Sequence, residues 1–169
     1  MFVLYCTYYN WVSNSFGVAH AVAFDAENLS TVNTVDLLTK VTKSVVIHGF
    51  DFPAALEHAL RLCPGLGKHS GLYHFTPHCT MHYVWAHKEY QPWGKRLPVQ
   101  CPQCGVLNTW SSASIGGRGY KFACTNDGCG IIDGRRQKQR HSITVNRPED
   151  SHLLNVSKDA AWLRTPVVF

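Results

Sequence analysis

Hydrophobic and polar positions change period along the chain, and the changes mark out its elements. Phe2 to Tyr9 is an unbroken aromatic and β-branched run, with Val3, Tyr5, Thr7 and Tyr9 on one face and Phe2, Leu4, Cys6 and Tyr8 on the other. Both faces are apolar, which predicts a strand covered on both sides. Val18 to Phe24 predicts a second strand, ended by Asp25-Ala-Glu-Asn28, and Asn14 and Gly17 mark a loop between the two. Thr34 to Lys43 then reads as a helix, with Asn33 as N-cap, Asp36 in its first turn and one apolar face of Leu37, Leu38 and Val41.

Ser44-Val-Val-Ile-His48 carries no formal charge and predicts a short buried strand. Asp51 is placed to cap a further helix with Pro53 in its first turn. Leu56, Ala59, Leu60 and Cys63 fall at i, i+3, i+4 and i+7, an amphipathic stripe. Pro64-Gly-Leu-Gly67 stops that helix, and Gly71 to Phe75 predicts a strand. A strand–helix–strand–helix–strand order over 18–75 implies right-handed parallel crossovers. The expected fold class is α/β: a small two- or three-layer α/β domain over residues 1–76, with residues 77–98 as a His- and aromatic-rich connector. Beyond it, Ser142 to Val145 predicts a strand, Arg147-Pro-Glu-Asp150 a polar turn, and Trp162 and Leu163 an apolar anchor on the body.

Two cysteine pairs change this picture. Cys101-Pro-Gln-Cys104-Gly105 and Cys124-Thr-Asn-Asp-Gly-Cys129-Gly130 are spaced C-x2-C and C-x4-C. A turn of this kind points two thiolates at one ion while backbone N–H groups face the sulfurs. The glycine closing each pair permits the positive φ the turn needs. Two such turns facing each other make the tetrahedral four-thiolate cage that Zn2+ prefers. Disulfides or unrelated thiols are the alternatives. Nothing here indicates secretion, and unrelated thiols would rarely fall in two glycine-terminated pairs. The segment CPQCGVLNTWSSASIGGRGYKFACTNDGCG resembles a zinc ribbon, a CPxCG knuckle followed by a β-hairpin and a second knuckle. The resemblance covers about 30 of 169 residues. It implies one structural Zn2+ on Cys101, Cys104, Cys124 and Cys129 and a ribbon over 99–134, followed by a basic segment and C-terminal strand over 135–169. Zinc ribbons serve transcription machinery, transposases, ribosomal proteins and enzyme subunits alike. The resemblance therefore identifies a module and a metal, not an activity.

Composition bounds the rest. At 169 residues, 45% hydrophobic and 16% charged, the chain holds one ordinary core plus a small metal module, or one domain with an inserted ribbon. Seven cysteines, four of them assigned to zinc, leave Cys6, Cys63 and Cys79 as thiols and point to a reducing compartment, nucleus or cytosol. Residues 1–24 contain no Asp, Glu, Lys or Arg, yet the basic start of a signal peptide is absent, and Asn10, Ser13, Asn14, Ser15 and His20 interrupt any membrane span. The abrupt hydrophobic start implies a fragment of something longer.

Charge is uneven. Residues 88–147 hold ten Lys/Arg against three Asp/Glu, a balance of +7, while the remainder carries −2. Arg118, Lys121, Arg135, Arg136, Lys138 and Arg140 are candidate phosphate contacts, interleaved with Trp110, Tyr120 and Phe122. The competing reading is a solvated charge run with those aromatics as the ribbon's own core. A protein partner is the other expected class, and no membrane partner is expected. His69, His74, His78, Cys79, His82 and His87 raise a second metal site, with C-x2-H spacing at Cys79 and His82, or else packed and surface histidines. His48-Gly49 at a predicted strand end, with Cys79 after the next strand, is similar to the dyad of caspase-like cysteine peptidases. Phe75-Thr-Pro-His-Cys79 lacks the glycine expected after that nucleophile, and no acidic S1 pocket can be read.

Overall fold

The computed structural model describes residues 17–26, 29–115, 118–132, 135–136 and 139–167. The expected strand Phe2–Tyr9 lies outside these. The chain forms two compact units, residues 1–85 with 150–169, and residues 86–149. In chain order the second unit is inserted into the first.

The first unit combines helices with an antiparallel sheet. β1 (Ala21–Phe24) is followed by α1 (Thr31–Val46), α2 (Phe52–Arg61), the single turn α3 (Pro64–Gly67), β2 (Leu72–Phe75) and β3 (Thr80–His87). β1 pairs antiparallel with β2, Ala21 opposite Phe75, and β2 with β3, Leu72 opposite Tyr83. The chain returns to this unit in β9 (His152–Asn155) and β10 (Ala160–Val167), completing a five-stranded sheet in the order β1-β2-β3-β10-β9.

Three expectations are corrected. Ser44 to Val46 is not strand but the last turn of α1, which starts at Thr31 with Ser30, not Asn33, as N-cap. The inward spacing Thr34, Leu37, Val41, Ser44 continues the helical period through the β-branched run, whose propensity penalty is a few tenths of a kcal/mol per residue. The helix then ends where Gly49 turns the chain at φ +68 and Phe50 N–H reaches back to the Ser44 carbonyl at 3.1 Å. The parallel crossovers fall with that strand. Without it the chain passes through α1, α2 and α3 in succession before reaching β2, which pairs antiparallel with β1.

The α2 prediction holds. Asp51 Oδ2 accepts from Ala54 N–H at 3.3 Å, and Pro53 sits in the first turn. Leu56, Ala59, Leu60 and Cys63 are all buried, packed with Leu37 and Val41 of α1 against Leu72, Tyr83, Trp85, Leu154 and Trp162 of the sheet. Trp162 is fully buried and donates its indole N–H to the Leu60 carbonyl at 2.8 Å. Burying an indole of this size is worth about 4–6 kcal/mol. Arg164 of β10 is ion-paired with Glu57 of α2.

In the second unit, β4 (Trp110–Ile115), β5 (Gly119–Cys124) and β8 (Ser142–Asn146) form an antiparallel sheet in that order. The two-residue strands β6 (Ile131–Ile132) and β7 (Arg135–Arg136) pair separately. Alternation along β5 places Tyr120, Phe122 and Cys124 on one face and Lys121 on the other. Phe122 and Val145 are buried on the first face, and Lys121 is exposed on the second.

Candidate metal centre

The centre is built by two turns at one end of the three-stranded sheet. In the first, Gly105 N–H donates to the Cys101 carbonyl at 2.8 Å and Cys101 N–H to the Val106 carbonyl at 3.0 Å, with Gly105 at φ +71. In the second, the four residues between Cys124 and Cys129 are taken up by a turn at Asn126. Its side-chain oxygen accepts from Gly128 N–H at 3.3 Å, and its carbonyl accepts from Cys129 N–H at 3.0 Å. Gly130 leaves at φ +92. Both glycines named from the sequence hold the left-handed backbone expected of them.

These turns bring the sulfurs of Cys101, Cys104, Cys124 and Cys129 within 4.8 Å of one another. Cys101 Sγ lies 3.8 Å from Cys129 Sγ, and Cys104 Sγ lies 3.7 Å from Cys124 Sγ. At a Zn–S distance of about 2.3 Å the edge of an S4 tetrahedron is about 3.8 Å, so the two close pairs already have the spacing of a filled cage. Disulfide bonding requires about 2.0 Å, and all four are free thiols. Cys101, Cys124 and Cys129 are buried and Cys104 half-buried, with Trp110 packed against them.

The surroundings favour thiolates. His141 N–H points at Cys129 Sγ over 3.5 Å, and Thr109 Oγ1 lies 3.1 Å from Cys124 Sγ. Hydrogen bonds from the Asn126 side chain and the Val106 backbone hold the Cys104 thiol down at about 6. The His141 N–H pulls Cys129 the same way, but burial and the three neighbouring sulfurs push it up to about 12. Such a set sheds protons when a dication enters. The cluster is thus compatible with a metal ion, and its all-sulfur donors match zinc's preference.

The six candidate phosphate contacts are scattered. Arg118 is exposed just before β5, and Arg140 is exposed beside the second cysteine turn, after which the His141 carbonyl accepts from Cys124 N–H at 2.9 Å. The length of β5, about 17 Å for six residues, separates those two positions. Arg140 pairs with Asp127 at 2.7 Å. Arg135 and Arg136 form β7, and Lys138 lies outside the described residues. Of the interleaved aromatics, Phe122 is buried, Tyr120 half-buried against Phe122, and Trp110 packed on the cysteines. Only Phe122 of the three is buried.

The histidines disperse. His78 lies in the β2–β3 turn and His82 in β3, so they do not share a helical turn. His82 stacks on Tyr73 at 4.1 Å and sits 3.5 Å from the Asp25 carboxylate. That imidazole, with the Gly71 N–H, outweighs burial and lowers the Asp25 pKa. His74 is buried with its Nε2 3.1 Å from His20 Nδ1, and His87 stacks on Tyr90. Among the described residues the four cysteines are the one metal-competent group of three or more.

The dyad geometry also fails. His48 follows a helix, not a strand, and its ring is tilted on Phe50. Cys79 is exposed in the hairpin turn with its sulfur 3.3 Å from Thr76 Oγ1, and among the described residues no histidine hydrogen-bonds to it. Leu38, expected on one apolar face with Leu37 and Val41, is instead exposed, and with Val35 and Val46 of α1 and Ile47 just after it makes an outward apolar side that sequence reasoning passed over. A second hydrophobic stripe opposite Leu37 and Val41 was its signal. Among the described residues, no helix is long and apolar enough to cross a membrane.

No protein family, curated protein or solved structure matches the chain.

Proposed function

We propose that residues 86–149 are a binding module stapled by one structural Zn2+ in a zinc-ribbon site, and that nucleic acid is its partner. The observation that carries the metal is the four-sulfur cage with edges of 3.7 and 3.8 Å. Cys101, Cys104, Cys124 and Cys129 would hold the ion. When bound it supplies a cross-link between the two cysteine turns, and four thiolates leave no position for a substrate or water. The role is therefore structural. Cys104→Ser should lose the metal and unfold this unit while the first unit stays folded. Retained stoichiometric zinc in that variant would refute the ligand assignment.

The nucleic-acid reading rests on charge. Residues 86–149 hold ten Lys/Arg against four Asp/Glu. Phosphate contacts release counterions, so affinity should fall steeply with salt, with a log–log slope of about −0.7 per contact for single strands. Anisotropy titration of zinc-loaded protein against labelled DNA and RNA tests it, and no binding at low salt would refute it. The competing reading, a protein-interaction domain, is favoured by one observation, the outward apolar residues Val35, Leu38, Val46 and Ile47 of α1. Failure of the titration would make that reading the leading one.

A further inference from the structure

The end of the three-stranded sheet away from the cysteines carries a second cluster. Trp93 sits in a single 3-10 turn, Pro92–Gly94, with left-handed backbone at φ 50 and ψ 34. That region is strained for a bulky residue, and such strain concentrates at ligand sites. Its ring leans on Tyr120 at 5.6 Å between centroids and 33°, and the Arg147 guanidinium lies over the ring, 5.5 Å from its centroid. Arg147 N–H donates to the Arg118 carbonyl at 2.8 Å, so Arg118 and Arg147 leave neighbouring strand ends side by side. Both are exposed, as are Lys95 and Arg96, which follow Trp93 by two and three residues.

Electrostatics separates this end from the other. A Zn2+ held by four thiolates carries a net charge of about −2. Arg140, beside the second cysteine turn, is already engaged by Asp127. Arg118 and Tyr120 lie at the far end of β5 from Cys124 and its neighbours.

Resting on the nucleic-acid reading above, we infer that the Trp93 end is the contact surface and that its partner is single-stranded. The Arg147 guanidinium, backed by the Trp93 ring, is a planar platform on which an unpaired base stacks, while Arg118, Lys95 and Arg96 take flanking phosphates. Guanidinium and aromatic planes accept unstacked bases of any sequence, whereas bases in a duplex keep their faces covered. The site should therefore prefer single strands and discriminate weakly among sequences.

The test is anisotropy titration of zinc-loaded, full-length protein with fluorescein-labelled dT15 and with a 15-base-pair duplex, over a salt series. Arg147→Lys keeps the charge and loses the plane. It should weaken dT15 binding about 5–10-fold with an unchanged salt slope. Arg118→Ala should flatten the slope by about 0.7. Arg135→Ala with Arg136→Ala should change affinity less than 2-fold. Zinc content and the Trp110 indole resonance check that each variant is folded. Binding that survives Arg147→Lys and Arg118→Ala but fails in the Arg135/Arg136 variant would overturn the inference and keep the nucleic-acid reading. So would tighter binding to the duplex. No binding of either probe at low salt would overturn both.

Discussion

Stripping the metal from zinc-loaded protein at neutral pH should unfold residues 86–149 and leave the first unit intact. The magnitude follows from how little else holds the second unit. Among the described residues its buried side chains are Cys101, Cys124 and Cys129 around the centre, Phe122 and Val145 on the sheet, and Ala86, Gln91 and Pro92 near the start of the unit. Phe122 and Val145 together supply about 3–6 kcal/mol of burial, whereas a structural zinc site contributes about 10–16 kcal/mol at pH 7. The first unit has a core of thirteen buried residues that includes none of the four cysteines, so chelation gives it no reason to open. Two tryptophans report on the two units separately. The Trp110 indole donates to the Pro98 carbonyl at 2.8 Å in the second, and the Trp162 indole to the Leu60 carbonyl at 2.8 Å in the first. In 15N-labelled protein treated with a strong chelator, the Trp110 indole resonance should collapse to its random-coil position while that of Trp162 stays. An unchanged Trp110 resonance, with elemental analysis showing the zinc gone, would refute the reasoning. Joint collapse of both would refute the independence of the units.

Three other outcomes are expected. Gly67→Ala should destabilise the first unit by about 1–3 kcal/mol in urea titration, because a Cβ there would lie 2.7–2.8 Å from Trp85 side-chain atoms. Burial, with the His20 charge second, depresses the His74 pKa to about 4. The unfolded chain therefore binds the extra proton between about pH 4 and 6.5, so stability should fall as pH drops through that window, and less steeply in His74→Gln by thermal denaturation. In mass-spectrometric alkylation of zinc-loaded protein, Cys79, exposed, should label before Cys63, whose thiol is pushed up to about 11 by burial and by its contact with Asp36 at 3.2 Å. Faster labelling of Cys63 would contradict its buried placement.

What the sequence disclosed was local and chemical. Cys101, Cys104, Cys124 and Cys129 are legible because the spacing and the glycines at 105 and 130 encode turn geometry directly, without reference to the rest of the fold. The α2 stripe and its Asp51 cap are legible for the same reason. Ser44 to His48 misled because β-branched residues favour strands only weakly, and packing of Leu37, Val41 and Ser44 extended the helix instead. With that element helical, the predicted strand–helix–strand crossovers do not form, and β1 pairs antiparallel with β2. The Trp93 cluster was hidden because it joins residues 93, 118, 120 and 147 through a sheet register that no local spacing encodes.

X-ray absorption at the zinc edge, with metal content measured on protein purified without chelator, tests the central claim most directly. One zinc per chain is predicted, with a single first shell of four sulfurs at about 2.3 Å and no light-atom ligand. Protein free of zinc, or a first shell containing nitrogen or oxygen, would contradict a cage made by Cys101, Cys104, Cys124 and Cys129.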